Sequence, residues 1–114
     1  MEIDILLEYC ERKQLRQWLE KHHAEADHCW VATYRGKVTM HDALPYTEVV
    51  EEALCFGWID STVKRMKDGR LAQRLSPRRT KSHWTERNIA RVHALEARGM
   101  MTPAGLKKLR YEKD

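Results

Sequence analysis

The sequence predicts an α+β domain in which about four helices pack around a small antiparallel sheet of about three strands. Several segments repeat apolar residues at helical spacing, and two β-like runs flank a central turn. The 114 residues include only five Gly and three Pro, so residues 1–114 are expected to fold as a single domain without a linker. With 42% apolar residues and a mean hydropathy of −0.72, the composition excludes a disordered or membrane-spanning chain.

The N-terminal half predicts two helices with a strand between them. Residues 11–26 form the first helix, because apolar side chains recur there every 3.6 residues. Cys29–Tyr34 alternates in the manner of a strand. Thr47–Phe56 forms the second helix, since its glutamates face away from an apolar stripe and Gly57 follows at the position of a helix stop.

The central segment predicts a β-hairpin. Trp58–Arg65 and Arg70–Ser76 are β-like and enclose the turn signal Lys67-Asp68-Gly69. A three-residue loop with Gly69 in the left-handed conformation gives one apolar face, formed by Ile59, Val63, Leu71 and Leu75. In this register Asp60 lies opposite Ser76 and Thr62 opposite Arg74. The other face is then polar and aromatic, and carries Trp58, Asp60, Thr62 and Lys64.

Two helices are expected after the hairpin. Pro77 ends the second strand, and Ser82 is a plausible N-cap for a helix from about His83 to Arg98. Asn88 lies within the apolar stripe of that helix, so its amide is expected to be buried and bonded to the hairpin near Trp58–Asp60 or to a backbone carbonyl. A last short helix follows, with Thr102 as its N-cap and Pro103 in its first turn.

The charges divide the chain into two unlike halves. Residues 1–60 contain 6 Lys or Arg against 12 Asp or Glu, whereas residues 61–114 contain 15 against 5. Ten basic and two acidic residues lie between positions 64 and 91. This pattern indicates an anionic partner, or docking of the two halves on one another.

The cysteines and histidines indicate no metal or redox chemistry. Three cysteines without a C-x-x-C spacing predict reduced thiols, and the histidines near Cys29 match no common metal motif, so no metal or cofactor is expected. Cys55 is an unlikely nucleophile, because the end of a helix and the nearby glutamates should raise its pKa. The acidic N-terminus does not resemble a secretory signal, which favours a cytoplasmic location.

The strongest candidate site is an anion pocket between the polar hairpin face and the start of the third helix. A helix N-terminus offers free N–H groups, arginine forks suit phosphate or carboxylate, and a tryptophan can stack on an aryl group or a base. The expected ligand is a phosphate, a nucleotide or a carboxylate. The candidate ligand-binding residues are Trp58, Asp60, Arg74, Arg78, Arg79, Lys81, Ser82, Trp84 and Asn88.

Other interpretations stay open at the level of sequence. Arg78 and Arg79 can instead pair with the acidic helix around Glu51, with both tryptophans in the core. The basic segment 64–91 also suits a nucleic-acid backbone, although no recognised nucleic-acid motif is present, or an acidic protein partner. Asp60 alone supports no reaction class, so whether the chain is an enzyme stays open.

Four motifs carry a resemblance to a known family. They begin at Glu52, Ser76, Lys81 and Gly99, and read EALCFGWID, SPRR, KSHWTERN and GMMTPAGL. In this order they closely resemble the YdeI/OmpD-associated family, also called bacteriocin-protection proteins, over residues 12–110. The resemblance implies a role in tolerance of antimicrobial peptides or stress and no established reaction. Longer members of that family carry further C-terminal helices.

Overall fold

The computed structural model describes residues 2–37, 39–79 and 84–113, with side chains up to residue 109. In these ranges the chain forms four helices and five strands, which confirms the α+β class. The strands are β1 (Leu6–Leu7), β2 (Cys29–Tyr34), β3 (Leu44–Pro45), β4 (Trp58–Arg65) and β5 (Leu71–Pro77). The helices are α1 (Arg12–His22), α2 (Tyr46–Cys55), α3 (Glu86–Ala97) and α4 (Pro103–Lys113).

The sheet is larger than predicted and is mixed rather than antiparallel. Its order is β1-β2-β5-β4, and β3 also pairs with β2. The long strands β2, β5 and β4 are antiparallel neighbours, as expected, whereas β1 and β3 are parallel to β2. Both added strands have only two residues, too few for a periodic pattern to be visible in the sequence.

The hairpin of β4 and β5 confirms the predicted loop and corrects the predicted register. Met66 N donates to Arg70 O at 2.8 Å, and Gly69 has a φ of +93°, as a three-residue loop requires. Next to the loop the pairing agrees with the prediction, since Val63 lies opposite Gln73. Further along, Asp60 pairs with Leu75 instead of Ser76.

A β-bulge at Ser61 and Thr62 causes this shift. Two residues of β4 stand there against Arg74 alone on β5, and the buried Gln73 Nε2 donates to the carbonyl oxygens of both bulge residues at 3.5 and 3.4 Å. Because side chains alternate between the two faces of a sheet, a register shift of one residue moves every side chain of the strand to the other face. The prediction is therefore wrong for the first half of β4, where Trp58 and Asp60 lie on the face that carries Leu75, and Ile59 lies on the other.

The helices pack on the face of the sheet that carries Leu75, which we call the inner face. The core joins this face to apolar side chains of α1, α2 and α3, and to Leu109 of α4. Gly57 follows α2 with a φ of +77°, as predicted. The first helix ends at His22 instead of continuing to residue 26. No helix in the described ranges combines the length and apolar composition needed to span a bilayer.

The two C-terminal helices begin at side-chain caps. Thr102 Oγ1 accepts from Gly105 N at 3.3 Å at the start of α4, which confirms the predicted cap. The prediction for α3 is wrong by three residues, because Thr85 is the N-cap and its hydroxyl accepts from Asn88 N at 3.1 Å. Ser82, the predicted cap, lies outside the described residues.

Candidate functional site

The structure separates the predicted site residues into several locations. Trp58 and Arg78 are buried, Arg74 lies on the outer face of the sheet, and Arg79 is exposed. Lys81 and Ser82 lie outside the described residues. The remaining members are Asp60 and Asn88, which lie at a polar cluster beside the start of α2, and Trp84, which packs under Arg78.

Trp58 belongs to the aromatic part of the core. Its side chain is 1% exposed, its ring meets Trp18 edge-on at 6.0 Å, and its Nε1 donates to His23 O at 3.3 Å. This burial follows from the bulge, which turns the residue to the inner face. Without movement of the core, this ring is not available to stack on a ligand.

Arg78 is also part of the protein interior. It is 2% exposed, and its guanidinium carbon lies 3.8 Å from the centre of the Trp84 ring. Its backbone N donates to Gly57 O, and its backbone O accepts from Lys108 Nζ at 2.7 Å. These contacts join β5, α2 and α4, so Arg78 contributes to the packing of three elements. The buried side chain does not fit the expectation of an accessible ligand-binding arginine at this position.

A tyrosine and an aspartate form the centre of the polar cluster. Tyr46 occupies the first turn of α2, directly after the β3 residue Pro45, and Asp60 faces it from β4. The Tyr46 hydroxyl donates to Asp60 Oδ2 at 2.6 Å. Because the bulge turns Asp60 to the inner face, the carboxylate can meet the helix, which the predicted register would have prevented.

Two arginines lie beside this pair. The Arg35 guanidinium carbon is 4.0 Å from the centre of the Tyr46 ring, and Arg91 of α3 is held by a 3.1 Å hydrogen bond from its Nη1 to Asn88 Oδ1. Asn88 is therefore half-buried and bonded within its own helix, not buried against the hairpin as expected. We call these five residues, Arg35, Tyr46, Asp60, Asn88 and Arg91, the Tyr46–Asp60 cluster.

The cluster keeps Tyr46 neutral. Burial raises the pKa of Tyr46 above its ordinary value, and the hydrogen bond and charge of Asp60 raise it further. The charges of Arg35 and Arg91 act on the same pKa in the opposite direction. The site thus combines one phenol, one carboxyl group and two guanidinium groups.

An open groove of about 320 Å³ begins at Arg35. Val63, Arg65 and Leu71 belong to the inner face at the tip of the hairpin, beyond the residues that pack on the helices. Apolar side chains and two arginines thus share one concave surface. We call it the hairpin groove, and its lining residues are Tyr34, Arg35, Met40, Val63, Arg65, Gly69 and Leu71.

Sequence reasoning missed three members of the cluster. Arg35 lies in a loop, where periodicity carries no information, and Tyr46 stands one residue before the predicted second helix. Arg91 ends the basic segment 64–91, but nothing in the sequence connects it with Asp60. No sequence signal marked Tyr46, because the two-residue strand β3, which fixes the start of α2 beside the sheet, is too short to show a pattern.

The basic residues of positions 64–91 do not share one surface. Lys64 pairs with Ala72 on the outer face, whereas the adjacent Arg65 lies on the inner face. Arg78 is buried, and Arg91 is half-buried beside the cluster. The acidic helix α2, for its part, pairs with α1 through Arg12 and Arg16.

The buried thiols are poor nucleophiles, as the sequence suggested for Cys55. Burial and then the charge of Glu52 raise the pKa of Cys55 to about 11, and burial raises the pKa of Cys29 to about 12. No group of three metal-binding side chains gathers within the described ranges. His28 instead contacts Asp4 at 2.6 Å and Asp27 at 2.7 Å, and its pKa is raised, chiefly by the bond to Asp4.

Comparison with known proteins identifies a family without an assigned function. No curated protein and no solved structure shows a significant match to the chain. Residues 7–108 match a family described as a domain of unknown function, DUF8412. This match includes the whole of the Tyr46–Asp60 cluster and the hairpin groove. Since it covers most of the sequence, the chain belongs to the DUF8412 family.

Proposed function

We propose that the protein binds a small anionic ligand at the Tyr46–Asp60 cluster. The observation that carries the proposal is the Arg35 guanidinium over the ring of Tyr46, whose hydroxyl is already bonded to the Asp60 carboxylate. The half-buried Arg91 of α3 is a second cation whose charge acts on the same phenol. Within the described residues neither arginine forms an ion pair. The site therefore has an excess of positive charge that an anion can neutralise.

The chemistry of these groups suits a carboxylate or phosphate. A guanidinium presents parallel N–H donors that match two oxygens of either anion. The bond to Asn88 fixes the orientation of Arg91, so less side-chain entropy is lost when the ligand binds. Asp60 Oδ1 accepts no hydrogen bond within the described ranges, which leaves it available for a hydroxyl or N–H group of the same ligand.

Thermal unfolding with and without anions tests the proposal. Phosphate, AMP and hexanoate should be compared at concentrations from 1 to 50 mM at constant ionic strength. An anion at ten times its dissociation constant should add about 1.4 kcal/mol, which raises the melting temperature of a domain of this size by about 5 °C. Arg91→Gln should remove most of this gain, because it deletes one of the two cations.

A charge-matched control separates binding from general electrostatics. Lys107→Gln removes one positive charge from an exposed position on α4, away from the cluster, and should keep the full response. The proposal fails if no anion raises the melting temperature of the parent. It also fails if both variants lose the response equally, since that result indicates nonspecific screening.

Nucleic-acid binding is the alternative function, and the division of the basic residues between faces does not favour it. A protein that contacts several phosphates loses affinity steeply with salt, with a slope near 0.9 per contact on duplex DNA. Tight binding of DNA or RNA at physiological salt with such a slope would replace our proposal. The role in tolerance of antimicrobial peptides, which the resemblance to bacteriocin-protection proteins implies, is likewise a proposal that rests on the four motifs alone.

A further inference from the structure

We propose that the ligand is an amphiphilic monocarboxylate whose apolar body lies in the hairpin groove. This inference rests on the proposed function, because it takes the Tyr46–Asp60 cluster as the site of the anionic group. It adds the hairpin groove as a second subsite, and it thereby specifies the chemical class of the ligand. A simple inorganic anion would use the cluster only, whereas a carboxylate with an aliphatic body would use both surfaces.

The first support is the exposed apolar surface in the groove. Val63 is 43% exposed, and it is one of only two large apolar side chains that are exposed in the described part of the chain. The register places it on the inner face with Leu71, and Met40 completes an apolar lining. A ligand that covers this apolar surface removes it from water, which favours binding.

The second support is that Arg35 belongs to both surfaces. Its guanidinium covers the Tyr46 ring, and the same residue lines the groove. A carboxylate bound at Arg35 is therefore adjacent to the groove and to its apolar lining. Arg65, also on the lining, adds positive charge to the groove and disfavours a cationic occupant.

The volume limits the size of the apolar body. At about 320 Å³ the groove lies at the lower end of the range for small-molecule sites. An aliphatic chain of several carbons fits this space, whereas a dinucleotide or a long acyl chain exceeds it. We therefore expect a short to medium chain, and a limit beyond which added methylenes extend into solvent.

A series of straight-chain carboxylates measures the contribution of the groove. Acetate, butyrate, hexanoate, octanoate and decanoate should be titrated into the full chain by isothermal calorimetry, below their micelle-forming concentrations. Each methylene that enters the groove should tighten binding by about twofold to fourfold, because a partly open groove buries only part of each group. The gain should then stop once the groove is filled.

Val63→Thr tests the location of the apolar body. Threonine keeps the branched shape that suits a strand and replaces one methyl group by a hydroxyl, so the fold should persist. The preference for octanoate over acetate should fall by about threefold to fivefold. Ile5→Thr is the matched control, because Ile5 is also an exposed apolar residue, at 65%, but does not line the groove. It should leave the preference unchanged.

The outcomes distinguish this inference from the proposed function. If acetate and octanoate bind equally and Arg91→Gln weakens both, the anion site stands and the groove inference is overturned. If chain length matters but Val63→Thr and Ile5→Thr behave alike, the apolar body lies elsewhere, and the inference is again wrong. If no carboxylate binds and phosphate does not bind either, the proposed function itself fails.

Discussion

Glu52→Gln is expected to lower the free energy of unfolding by about 3–5 kcal/mol, because it breaks a buried ion pair and leaves its cationic partners behind. Glu52 is 0% exposed, and its two carboxylate oxygens accept from Arg12 Nε at 2.6 Å and from Arg16 Nη1 at 3.1 Å. Arg16 also donates to Met100 O at 2.7 Å. The carboxylate thus holds α1, α2 and the segment before α4 in one network.

Urea denaturation measures this effect, and Glu51→Gln is its control. Glu51 is the next residue of the same helix and bonds to the same Arg12 at 2.7 Å, but its side chain is partly exposed. Glu51→Gln should lower the free energy of unfolding by about 1 kcal/mol or less, as is usual when a solvent-accessible ion pair is broken. Equal losses for the two variants would show that burial does not determine the strength of this network.

Gly105→Ala is expected to destabilise the protein by about 2–3 kcal/mol, although the same change in an exposed helix stabilises it by about 1 kcal/mol. A Cβ at this position would collide with Cys55 O and lie 2.7 Å from Leu54 O. Both obstacles are backbone atoms at the end of α2, and they cannot turn away. Thr102 also binds Cys55 O, through both its N and its hydroxyl, so α4 cannot move outward without losing these bonds.

The melting temperature of the variant tests this close contact between α2 and α4. Lys107→Ala, two residues later on the exposed side of α4, changes only helix propensity and should leave stability within about 0.5 kcal/mol. A Gly105→Ala protein as stable as the parent, or more stable, would mean that the two helices are further apart than the structure indicates.

The elements with a strong local signal could be predicted from the sequence. The helix that ends before Gly57, the three-residue loop at Gly69 and the cap at Thr102 each depend on residues that are neighbours in the chain. These signals do not need tertiary information. The two-residue strands β1 and β3 gave no such signal, because they exist only through their pairing with β2.

The candidate site was predicted only in part, and the β-bulge is the main reason. A bulge at Ser61 and Thr62 changes the faces of all earlier residues in β4, yet neither residue type marks it in the sequence. Asp60 was among the candidate residues, but the predicted register places Asp60 on the face away from α2, so its partner Tyr46 could not be found. Arg78 was taken for a ligand-binding cation, since charge alone does not indicate whether an arginine is buried.

Ion pairs between the acidic and the basic half neutralise only part of their opposite charges. Arg70 pairs with Glu8 at 2.8 Å, which joins the basic half to the acidic half. Glu51 and Glu52, in contrast, are paired with arginines of their own half, Arg12 and Arg16. Much of the acidic charge of α2 is therefore neutralised locally. Arg91, in contrast, forms no ion pair among the described residues.

The most direct measurement of the anion site is an NMR titration of the ¹⁵N-labelled full chain with hexanoate. We expect the largest backbone shift changes at the Tyr46–Asp60 cluster, with smaller ones along the hairpin groove at Val63 and Leu71, and saturation to a single dissociation constant. Changes that are largest between Arg78 and Trp84, or that spread evenly over the basic residues without saturating, would contradict the assignment of the site.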